Sequence, residues 1–186
     1  MSHDLFHPTD LKPLGTDILR TPFLSQDICE IILECLKEKN TWFYEAKNPH
    51  HTDDIHFKKD LPEWYAILEE GLLAVLVPAT KYWDISSADI EIINMFAVRY
   101  TLSEKTELAK HHDDSYITCS LKLNSNYEGG ELFFPRQKTT NKQADVGDLL
   151  IWPGQITHPH SSLPLVSGEK YSITVWTKNE SLKNHR

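Results

Sequence analysis

The residues best suited to chemistry are two histidines followed by two aspartates, in the segment KHHDDSYITCS at positions 110–120. They form His-x-Asp in two registers, His111 with Asp113 or His112 with Asp114. Residues two apart on an extended segment point the same way, so either pair can offer an imidazole and a carboxylate to one ion. Two histidines and one carboxylate on one face of a metal leave further positions open, which is the pattern of mononuclear iron oxygenase sites. A third ligand from elsewhere in the chain would complete such a site.

The candidates for that third ligand are His158 and His160, in the segment ITHPHSSLPLVSGEKYSITVW. A His-x-Asp pair alone is a weak indication, because His51 and Asp53 form another one in a polar segment. We expect that second pair, with His56 beside it, to lie in a solvated loop. The downstream histidines, set between strand-like segments, favour a metal site at the first cluster.

Helices are predicted in the first half of the chain. Ser25 is the predicted N-cap for SQDICEIILECLKEKN, in which apolar residues recur at helical spacing. Asp60 can cap a second helix that has Pro62 in its first turn and that Pro78 interrupts or ends. The polar residues between these helices predict a long loop, and its part at 47–59 is a candidate lid that orders over bound peptide.

Strands are predicted in the second half. From Glu91 the hydrophobic period changes to two, with β-branched and aromatic residues in EIINMFAVRY. Further short apolar segments follow, separated by Gly, Pro, Asn and Asp: YITCSLKLN, GGELFFP, GDLLIWPG and KYSITVWT. Strands after a helical block predict an α+β protein whose sheets form a sandwich or barrel. We expect one domain over 1–186, with a helical part at about 17–90 and a strand-rich core at about 91–178.

Composition limits the class of protein. With 186 residues, of which 40% are hydrophobic, the chain is long enough for one well-buried domain and too short for two ordinary ones. The sequence has no long apolar run and its start has neither a basic nor an apolar leader segment, so we expect a cytoplasmic protein outside the membrane. Three scattered cysteines indicate reduced thiols rather than disulfides or a zinc knuckle. A net charge of -8 disfavours nucleic acid as a partner and suits a basic peptide.

Residues 94–176 resemble a known family. The segments VRY, HHD, LN and YEGG, followed by GDLLIWPGQITHPH and GEKYSITVW, fall in the order and spacing of the iron- and 2-oxoglutarate-dependent prolyl and lysyl hydroxylases. The similarity is greatest to the C-terminal catalytic domain of procollagen lysyl hydroxylases. It implies a double-stranded β-helix, or jelly-roll, core with flanking N-terminal helices.

The resemblance also implies an enzyme and its cofactors. Such a dioxygenase uses Fe(II), 2-oxoglutarate as cosubstrate and O2, with ascorbate to keep the iron reduced, and it hydroxylates a C–H bond of an amino-acid side chain. Lysine in a peptide or protein substrate is the expected target, and peptidyl proline or a free amino acid is the alternative; a homodimer is allowed. Two other classes stay open. These are a non-catalytic jelly-roll binding module and a zinc hydrolase with the same ligands, which would leave Lys170 without a role.

The resemblance selects one register of the metal cluster. Within the family the aspartate is followed by one variable residue and then a small one, which fits Asp113, so His111 and Asp113 are the implied ligands. Strand parity disagrees with this choice. The even-numbered residues from 116 to 122 form the more polar face of the next strand, and the family turns that face into its barrel. A straight strand would then favour His112 with Asp114. We expect a turn or bulge near Asp114 to shift the register.

The family also places a basic residue ten positions after the second histidine ligand, where it pairs with the far carboxylate of 2-oxoglutarate. From His160 that count reaches Lys170, whereas from His158 it reaches Gly168, so His160 is the implied ligand. Lysyl hydroxylases typically carry arginine at this point, and the lysine looks like the collagen prolyl hydroxylases instead. A buried lysine is costly unless an anion neutralises it, so we expect Lys170 to face the cosubstrate pocket.

The resemblance assigns pocket roles to further positions. Tyr100 matches a pocket tyrosine of related prolyl hydroxylases. Lys122 is expected to face the pocket and to assist Lys170 with the far carboxylate. Two small polar residues, Thr118 and Ser120, can hydrogen-bond the ligand. Two apolar residues, Leu132 and Trp176, are expected to form walls around the cosubstrate and the metal.

Overall fold

The computed structural model describes residues 10–39, 41–42, 52–88 and 90–179, which form antiparallel sheets with helices on one face. The helices are α1 (Gln26–Lys37), α2 (Phe57–Asp60) and α3 (Pro62–Tyr82). The strands, in chain order, are β1 (Lys12–Gly15), β2 (Ile18–Pro22), β3 (Asp53–His56), β4 (Ile90–Tyr100), β5 (Leu108–His111), β6 (Ile117–Lys122), β7 (Tyr127–Gly129), β8 (Leu132–Phe134), β9 (Thr139–Thr140), β10 (Asp148–Pro153), β11 (His160–Ser162), β12 (Leu165–Gly168) and β13 (Lys170–Asn179).

Two main sheets define the core. The larger has seven strands in the order β1-β2-β10-β6-β13-β4-β3, and the smaller has four in the order β5-β11-β8-β9. The strands β7 and β12 form a two-stranded ribbon. The helices and mostly antiparallel sheets confirm the prediction of an α+β protein with a jelly-roll core.

The seven-stranded sheet separates an apolar layer from a cavity. Odd-numbered side chains of β6 and β13, such as Cys119 and Ile173, belong to the hydrophobic cluster that includes the buried faces of α1 and α3. Even-numbered side chains, such as Thr118 and Thr174, line the cavity on the other side. The two sets alternate because successive side chains of a strand point to opposite faces. The helices therefore support the sheet from behind and leave its inner face to polar residues.

The helix starts follow the local signals only in part. α1 begins after Ser25, whose hydroxyl accepts a hydrogen bond from the Ile28 N–H at 3.4 Å, as predicted. α3 begins at Pro62 without a side-chain cap, and the predicted cap Asp60 belongs to α2 instead. The prediction for Asp60 is therefore wrong, because a short helix occupies the residues expected to be a loop.

Pro78 does not end α3, which continues to Tyr82. A proline inside a helix removes one backbone hydrogen bond and costs about 3 kcal/mol. Burial offsets that cost, because Val75, Leu76 and Ala79 are fully enclosed on either side of it. Tertiary packing therefore overrides the local signal.

Strands replace parts of the predicted helical region and of the predicted loop. β2 lies within the region expected to be helical and pairs with β10 of the large sheet. β3 and α2 occupy residues 53–60, so the loop predicted at 47–59 is wrong over residues 53–59, and residues 47–51 lie outside the described ones. Both strands are too short to show a clear period, and pairing with distant residues makes them strands. Ile55, for example, lies opposite Ala97.

Asp53 is not the solvated residue that the sequence suggested. It is buried, and its carboxylate accepts a hydrogen bond from Arg99 Nε at 2.6 Å. The Trp42 ring lies 4.6 Å from the same guanidinium. Burial raises the pKa of Asp53 to about 6 against the opposing effect of Arg99. This ion pair links β3 to β4 at the edge of the large sheet. His51, the other residue of that His-x-Asp pair, lies outside the described residues.

The cysteines are free, as predicted, with Cys29 and Cys119 buried and Cys35 half-buried. Among the helices in the described ranges, none has the length and apolar character needed to cross a membrane.

Candidate metal centre

Three side chains converge at one end of the cavity. His111 ends β5 and His160 begins β11, and the two residues lie opposite each other where these strands pair. Asp113 lies in the connection from β5 to β6. The nitrogen and oxygen atoms that the three side chains can offer to a metal lie within 4.8 Å of one another. His111 Nε2 is 3.5 Å from Asp113 Oδ1, and His160 Nε2 is 3.4 Å from Asp113 Oδ2. The structure thus brings together the three residues that the sequence analysis selected.

Backbone carbonyls orient both imidazoles. Nδ1 of His111 lies 2.9 Å from the carbonyl oxygen of Ala109, and Nδ1 of His160 lies 3.0 Å from that of His158. A carbonyl oxygen only accepts, so Nδ1 carries the hydrogen in each ring and Nε2 keeps its lone pair in the neutral form. Histidines that bind metals normally make this outer hydrogen bond. Both rings are therefore oriented to bind an ion through Nε2.

The Asp113 carboxylate is held by the opposite sheet. Thr118 Oγ1 donates a hydrogen bond to Asp113 Oδ2 at 2.8 Å, and the Asp113 N–H donates to the Gly154 carbonyl at 3.1 Å. A β-carbon on Gly154 would meet the Ser115 carbonyl oxygen and would lie 2.7 Å from Thr118 Oγ1, so only glycine leaves room for this hydroxyl. The hydroxyl hydrogen of Thr118 is directed at Asp113 rather than at the cosubstrate, where the sequence analysis expected it. Thr118 thereby fixes the orientation of the carboxylate.

The neighbouring residues His112 and Asp114 are exposed at the mouth of the cavity. The break in register that the sequence required lies between β5, which ends at His111, and β6, which begins at Ile117. These strands belong to different sheets, so the alternation of side chains along one does not carry over to the other. The parity argument for His112 and Asp114 fails for this reason.

The two imidazoles of the cluster have different electrostatic surroundings. Burial lowers the pKa of His160, while Asp113 acts in the opposite direction. Burial also lowers the pKa of His111, but hydrogen bonds to Asp113 and Ala109 outweigh it and the net shift is upward. A metal binds only neutral imidazole. His160 is therefore ready to bind at neutral pH, whereas a proton competes with the metal at His111 in mildly acidic solution.

His158 lies apart from this cluster. It is buried, with Nδ1 2.9 Å from Thr157 Oγ1 and Nε2 3.4 Å from the carbonyl oxygen of Thr16. Its own carbonyl oxygen orients the ring of His160. His158 thus supports the cluster without joining it.

The cluster opens into a cavity of about 600 Å³ between the two main sheets. The inner face of the seven-stranded sheet forms its floor. Trp176 lies beside Thr118 at the metal end of that floor, and Lys170 lies beside Tyr100 at the other end. The cavity therefore has a metal-binding group at one end and a cation at the other.

Lys170 is buried at its end of the cavity, with 5% of its surface exposed. Its Nζ donates hydrogen bonds to the Gly130 carbonyl at 2.7 Å and to Ser162 Oγ at 2.9 Å, and lies 4.6 Å from the centre of the Tyr100 ring. Burial lowers its pKa to about 7. These direct partners are uncharged, and the charge of Glu131 favours the ammonium without outweighing the effect of burial. A lysine in such surroundings is suited to bind a carboxylate.

Tyr100 and Lys122 also face the cavity, as predicted from the sequence. Burial raises the pKa of Tyr100 to about 12, which keeps the phenol neutral beside Lys170. The Nζ of Lys122 donates to the carbonyl oxygen of Ala144 at 2.6 Å, so its ammonium is anchored to the cavity wall. Lys170 is therefore the better placed of the two lysines to meet a ligand.

The predicted positions Ser120, Leu132 and Trp176 line the cavity as well. Leu132 comes from the smaller sheet, whereas Ser120 and Trp176 come from the larger one, so both sheets contribute to the lining. The sequence analysis missed two aromatic residues that surround the distal histidine. The rings of Trp152 and Phe134 lie 5.2 and 5.5 Å from the His160 ring, centre to centre. Trp152 and Phe134 lie in apolar segments of the kind found in any buried strand. The sequence therefore gave no indication that their rings contact His160, and only the pairing of the strands shows it.

Polar residues at the mouth of the cavity were also missed. Asp54 and His56 on β3, and Asn94 on β4, point to the cavity side of the large sheet. His56 Nδ1 lies 3.1 Å from Asn94 Oδ1. The sequence predicted a loop where β3 lies, so the alternation of side chains along this strand could not be used to place Asp54 and His56 at the cavity.

The donor set is that of a mononuclear iron centre, with two imidazole nitrogens and one carboxylate on one side and further positions open to the cavity. Residues 95–178 match the family described as the 2OG-Fe(II) oxygenase superfamily. That span contains the metal cluster and Lys170. This part of the chain, residues 95–178, belongs to the 2OG-Fe(II) oxygenase superfamily. The cofactors of this superfamily are Fe(II), 2-oxoglutarate and O2, and the residues at the two ends of the cavity fit the first two.

Relatives of this oxygenase are found by sequence and by structure. The multifunctional procollagen lysine hydroxylase and glycosyltransferase of Caenorhabditis elegans is 27% identical over 169 residues, which are 83% of this chain and 23% of that protein. Procollagen-lysine,2-oxoglutarate 5-dioxygenase 2 of Homo sapiens is 27% identical over 173 residues, 83% of this chain and 22% of that protein. The chain thus spans less than a quarter of the length of these relatives. The viral collagen prolyl hydroxylase vCPH from Paramecium Bursaria Chlorella virus-1, in complex with 2OG, aligns with a TM-score of 0.69 at 18% identity and covers 88% of this chain and 96% of that one, which shows a shared fold.

Proposed function

We propose that this oxygenase hydroxylates a C–H bond of peptidyl lysine, with 2-oxoglutarate as its cosubstrate. The observation that carries the proposal is the metal cluster at one end of a cavity and the buried Lys170 at the other. This arrangement suits a keto acid with two carboxylates, one end of which meets the metal and the other the ammonium. A non-catalytic binding module or a zinc hydrolase would give Lys170 no function.

Iron and 2-oxoglutarate supply the oxidising chemistry when bound, with decarboxylation to succinate and transfer of one oxygen atom to the substrate. The protein's contribution is to position the reactants. His111, Asp113 and His160 would hold the metal, and Thr118 keeps the Asp113 carboxylate in place. The carbonyl oxygens behind the two imidazoles prevent the rings from turning.

Lys170 would bind the far carboxylate of the cosubstrate, and Tyr100, whose ring centre lies 4.6 Å from the Lys170 ammonium, stays neutral beside it. Leu132 and Trp176 add apolar surface to the lining of the cavity, Trp176 at the metal end, and would disfavour water there. Exclusion of water strengthens the charge pair and limits side reactions. The cavity therefore binds the cosubstrate in one direction and leaves the mouth for the peptide.

Lysine is proposed as the target for two reasons. The relatives matched in sequence include lysine hydroxylases. In addition, Asp54 and Asp114 add carboxylates to the lining of the cavity, which favours a cationic side chain. Proline is the second candidate. It is favoured by the structural likeness to vCPH and by the lysine at position 170, which resembles the collagen prolyl hydroxylases.

The test is turnover with Fe(II), 2-oxoglutarate and O2 on peptides that contain either lysine or proline, with free amino acids in parallel. Succinate and a mass gain of one oxygen on the lysyl peptide are expected. Asp113→Ala should abolish both signals, whereas the matched variant Asp114→Ala should still give both, with at most a higher KM for the lysyl peptide. Oxygen gained by prolyl peptides alone would move the target to proline. Peptide hydrolysis without 2-oxoglutarate, or no succinate with any substrate, would overturn the proposal.

A further inference from the structure

A second, smaller groove lies beside the cavity. Its volume is about 290 Å³. His56 and Asn94 line both the groove and the cavity, so the two spaces share a rim. The residues that line the groove alone include Lys58, Lys59, Tyr65 and Ile93.

A bulge in β4 exposes part of the groove's floor. Asn94 lies opposite Trp176 and Ile92 lies opposite Thr177, so Ile93 is an extra residue between two consecutive positions of β13. Such bulges bend a strand and are frequent beside active sites. Ile93 is 45% exposed as a result, although Ile92 is buried. The bulge thus presents an apolar side chain at the rim of the cavity.

Two lysines line the groove, although the chain has a net charge of -8. A carboxylate lies near them, since Glu69 accepts a hydrogen bond from the Tyr65 hydroxyl at 2.9 Å. Lys58 and Lys59 lie in α2, directly after the edge strand β3, and both are exposed. The ammonium of Lys58 lies 5.7 Å from the centre of the Tyr65 ring. Within the part of the chain that the structure describes, neither lysine forms an ion pair with a carboxylate. The groove therefore combines an apolar floor with two ammonium groups.

We propose that this groove binds an acidic side chain of the peptide substrate, at a position that flanks the hydroxylated residue. The inference rests on the proposed function, because it assigns a peptide to the cavity. An acidic side chain has the short apolar stem and negative end that the floor and the lysines can accept. Charge complementarity of this kind directs a partner to its site and fixes its register.

The register of the sheet gives the distance to the target residue. Asn94 lies two strands from Thr118, which holds the metal ligand Asp113, and this corresponds to roughly 10 Å at the usual strand spacing. An extended peptide advances about 3.3 Å per residue. The acidic side chain is therefore expected about three to five positions from the residue that enters the cavity.

The test uses substrate peptides with one glutamate placed in turn at each position on either side of the target, each paired with the same peptide carrying glutamine. The wild-type protein should prefer one glutamate peptide over its glutamine partner. Because an exposed ion pair contributes up to about fivefold, the double variant Lys58→Ala/Lys59→Ala should lose about five- to twentyfold in kcat/KM for that peptide, through KM. Its kcat, and its kcat/KM for the glutamine peptide, should stay near the wild-type values.

Two further variants complete the design. Lys37→Ala/Lys81→Ala removes the same charge from α1 and α3, away from the lining of both spaces, and should keep the preference for glutamate. Lys58→Glu/Lys59→Glu should reverse the preference toward a peptide with lysine at the same position. A loss of activity that is equal for glutamate and glutamine peptides would indicate misfolding of the groove and overturn the inference.

Binding without turnover separates this inference from the proposed function. A fluorescent glutamate peptide is titrated into Asp113→Ala protein, with or without the two lysines, and followed by anisotropy. Tight binding that depends on the lysines, together with a wild-type protein that hydroxylates no peptide, would support the groove and refute the proposed function. Turnover by the wild-type protein with equal use of glutamate and glutamine peptides would support the proposed function and refute the groove.

Discussion

Replacement of Lys170 by alanine is expected to separate cosubstrate binding from metal binding. The ammonium contacts Gly130, Ser162 and the Tyr100 ring, and none of these belongs to the metal cluster. The variant should therefore keep its affinity for Fe(II) within a few-fold. Its affinity for 2-oxoglutarate should fall, because the far carboxylate loses its cation.

Burial determines the size of this effect. The fall in the pKa of Lys170 from the ordinary 10.5 to about 7 corresponds to ~5 kcal/mol against the ammonium form, at about 1.4 kcal/mol for each pH unit. Breaking a buried charge pair costs ~2–5 kcal/mol. We expect a loss in the lower part of that range, about two orders of magnitude in affinity or ~3 kcal/mol, because alanine also removes the cost of burying the charge.

The same pKa predicts how cosubstrate binding depends on pH. The carboxylate needs the ammonium form, so the affinity of the wild-type protein for 2-oxoglutarate should fall as the pH rises above about 7. This dependence should be lost in Lys170→Ala. Lys170→Arg should recover part of the affinity, although its planar group does not reproduce the geometry of an ammonium.

Calorimetry of 2-oxoglutarate binding to the metal-loaded protein measures these differences directly. Lys122→Ala is the matched control, since that ammonium is anchored to the Ala144 carbonyl and should matter less. Normal binding by Lys170→Ala would refute the assignment of the anchor. A larger loss in Lys122→Ala would transfer the role to Lys122.

Three other predictions concern the metal and the fold. Thr118→Val should weaken Fe(II) binding, measured by metal titration, by about ten- to a hundredfold, because Asp113 loses its hydrogen-bond donor. Thr118→Ser keeps that donor and should bind Fe(II) normally. Equal losses in the two variants would indicate that Thr118 acts through packing instead. Metal affinity should fall as the pH drops through the raised pKa of His111, because the proton takes the nitrogen that the ion needs, and an affinity independent of pH would contradict this. In urea titrations of the metal-free protein, the free energy of unfolding should rise between about pH 7 and 10.5, because the unfolded chain binds the proton of Lys170 more tightly, and Lys170→Met should flatten that rise. Unchanged slopes in the methionine variant would place the lysine outside the buried site.

Much of the strand-rich core could be predicted because its signals are local. The period of two from Glu91 onward marks β4, and the apolar segments that follow coincide with β6, β8, β10 and β13. The ten-residue spacing from His160, which begins β11, to Lys170, which begins β13, can be counted along the chain, although its meaning came from the resemblance to the hydroxylases. These features depend on residues a few positions apart, which a sequence displays directly.

Other features depend on residues that are distant in sequence. β3 is a strand because it pairs with β4, and Asp53 is buried because Arg99 reaches it across that pairing. The choice of Asp113 over Asp114 depends on a change from one sheet to the other, which strand parity cannot follow. Thr118 orients Asp113 only because Gly154 leaves space for its hydroxyl. The homodimer and the cytoplasmic location expected from the sequence stay predictions.

The metal cluster draws its members from both layers of the molecule. His111 and His160 belong to the four-stranded sheet, while Asp113 is fastened to Thr118 of the seven-stranded sheet. A bound ion would therefore cross-link the two sheets. The sheets could not separate without loss of the ion from its ligands. An ion present at a hundred times its dissociation constant adds about 2.7 kcal/mol to the stability of a fold that must be intact to hold it. The lifetime of the protein in a cell would then rise and fall with the supply of iron.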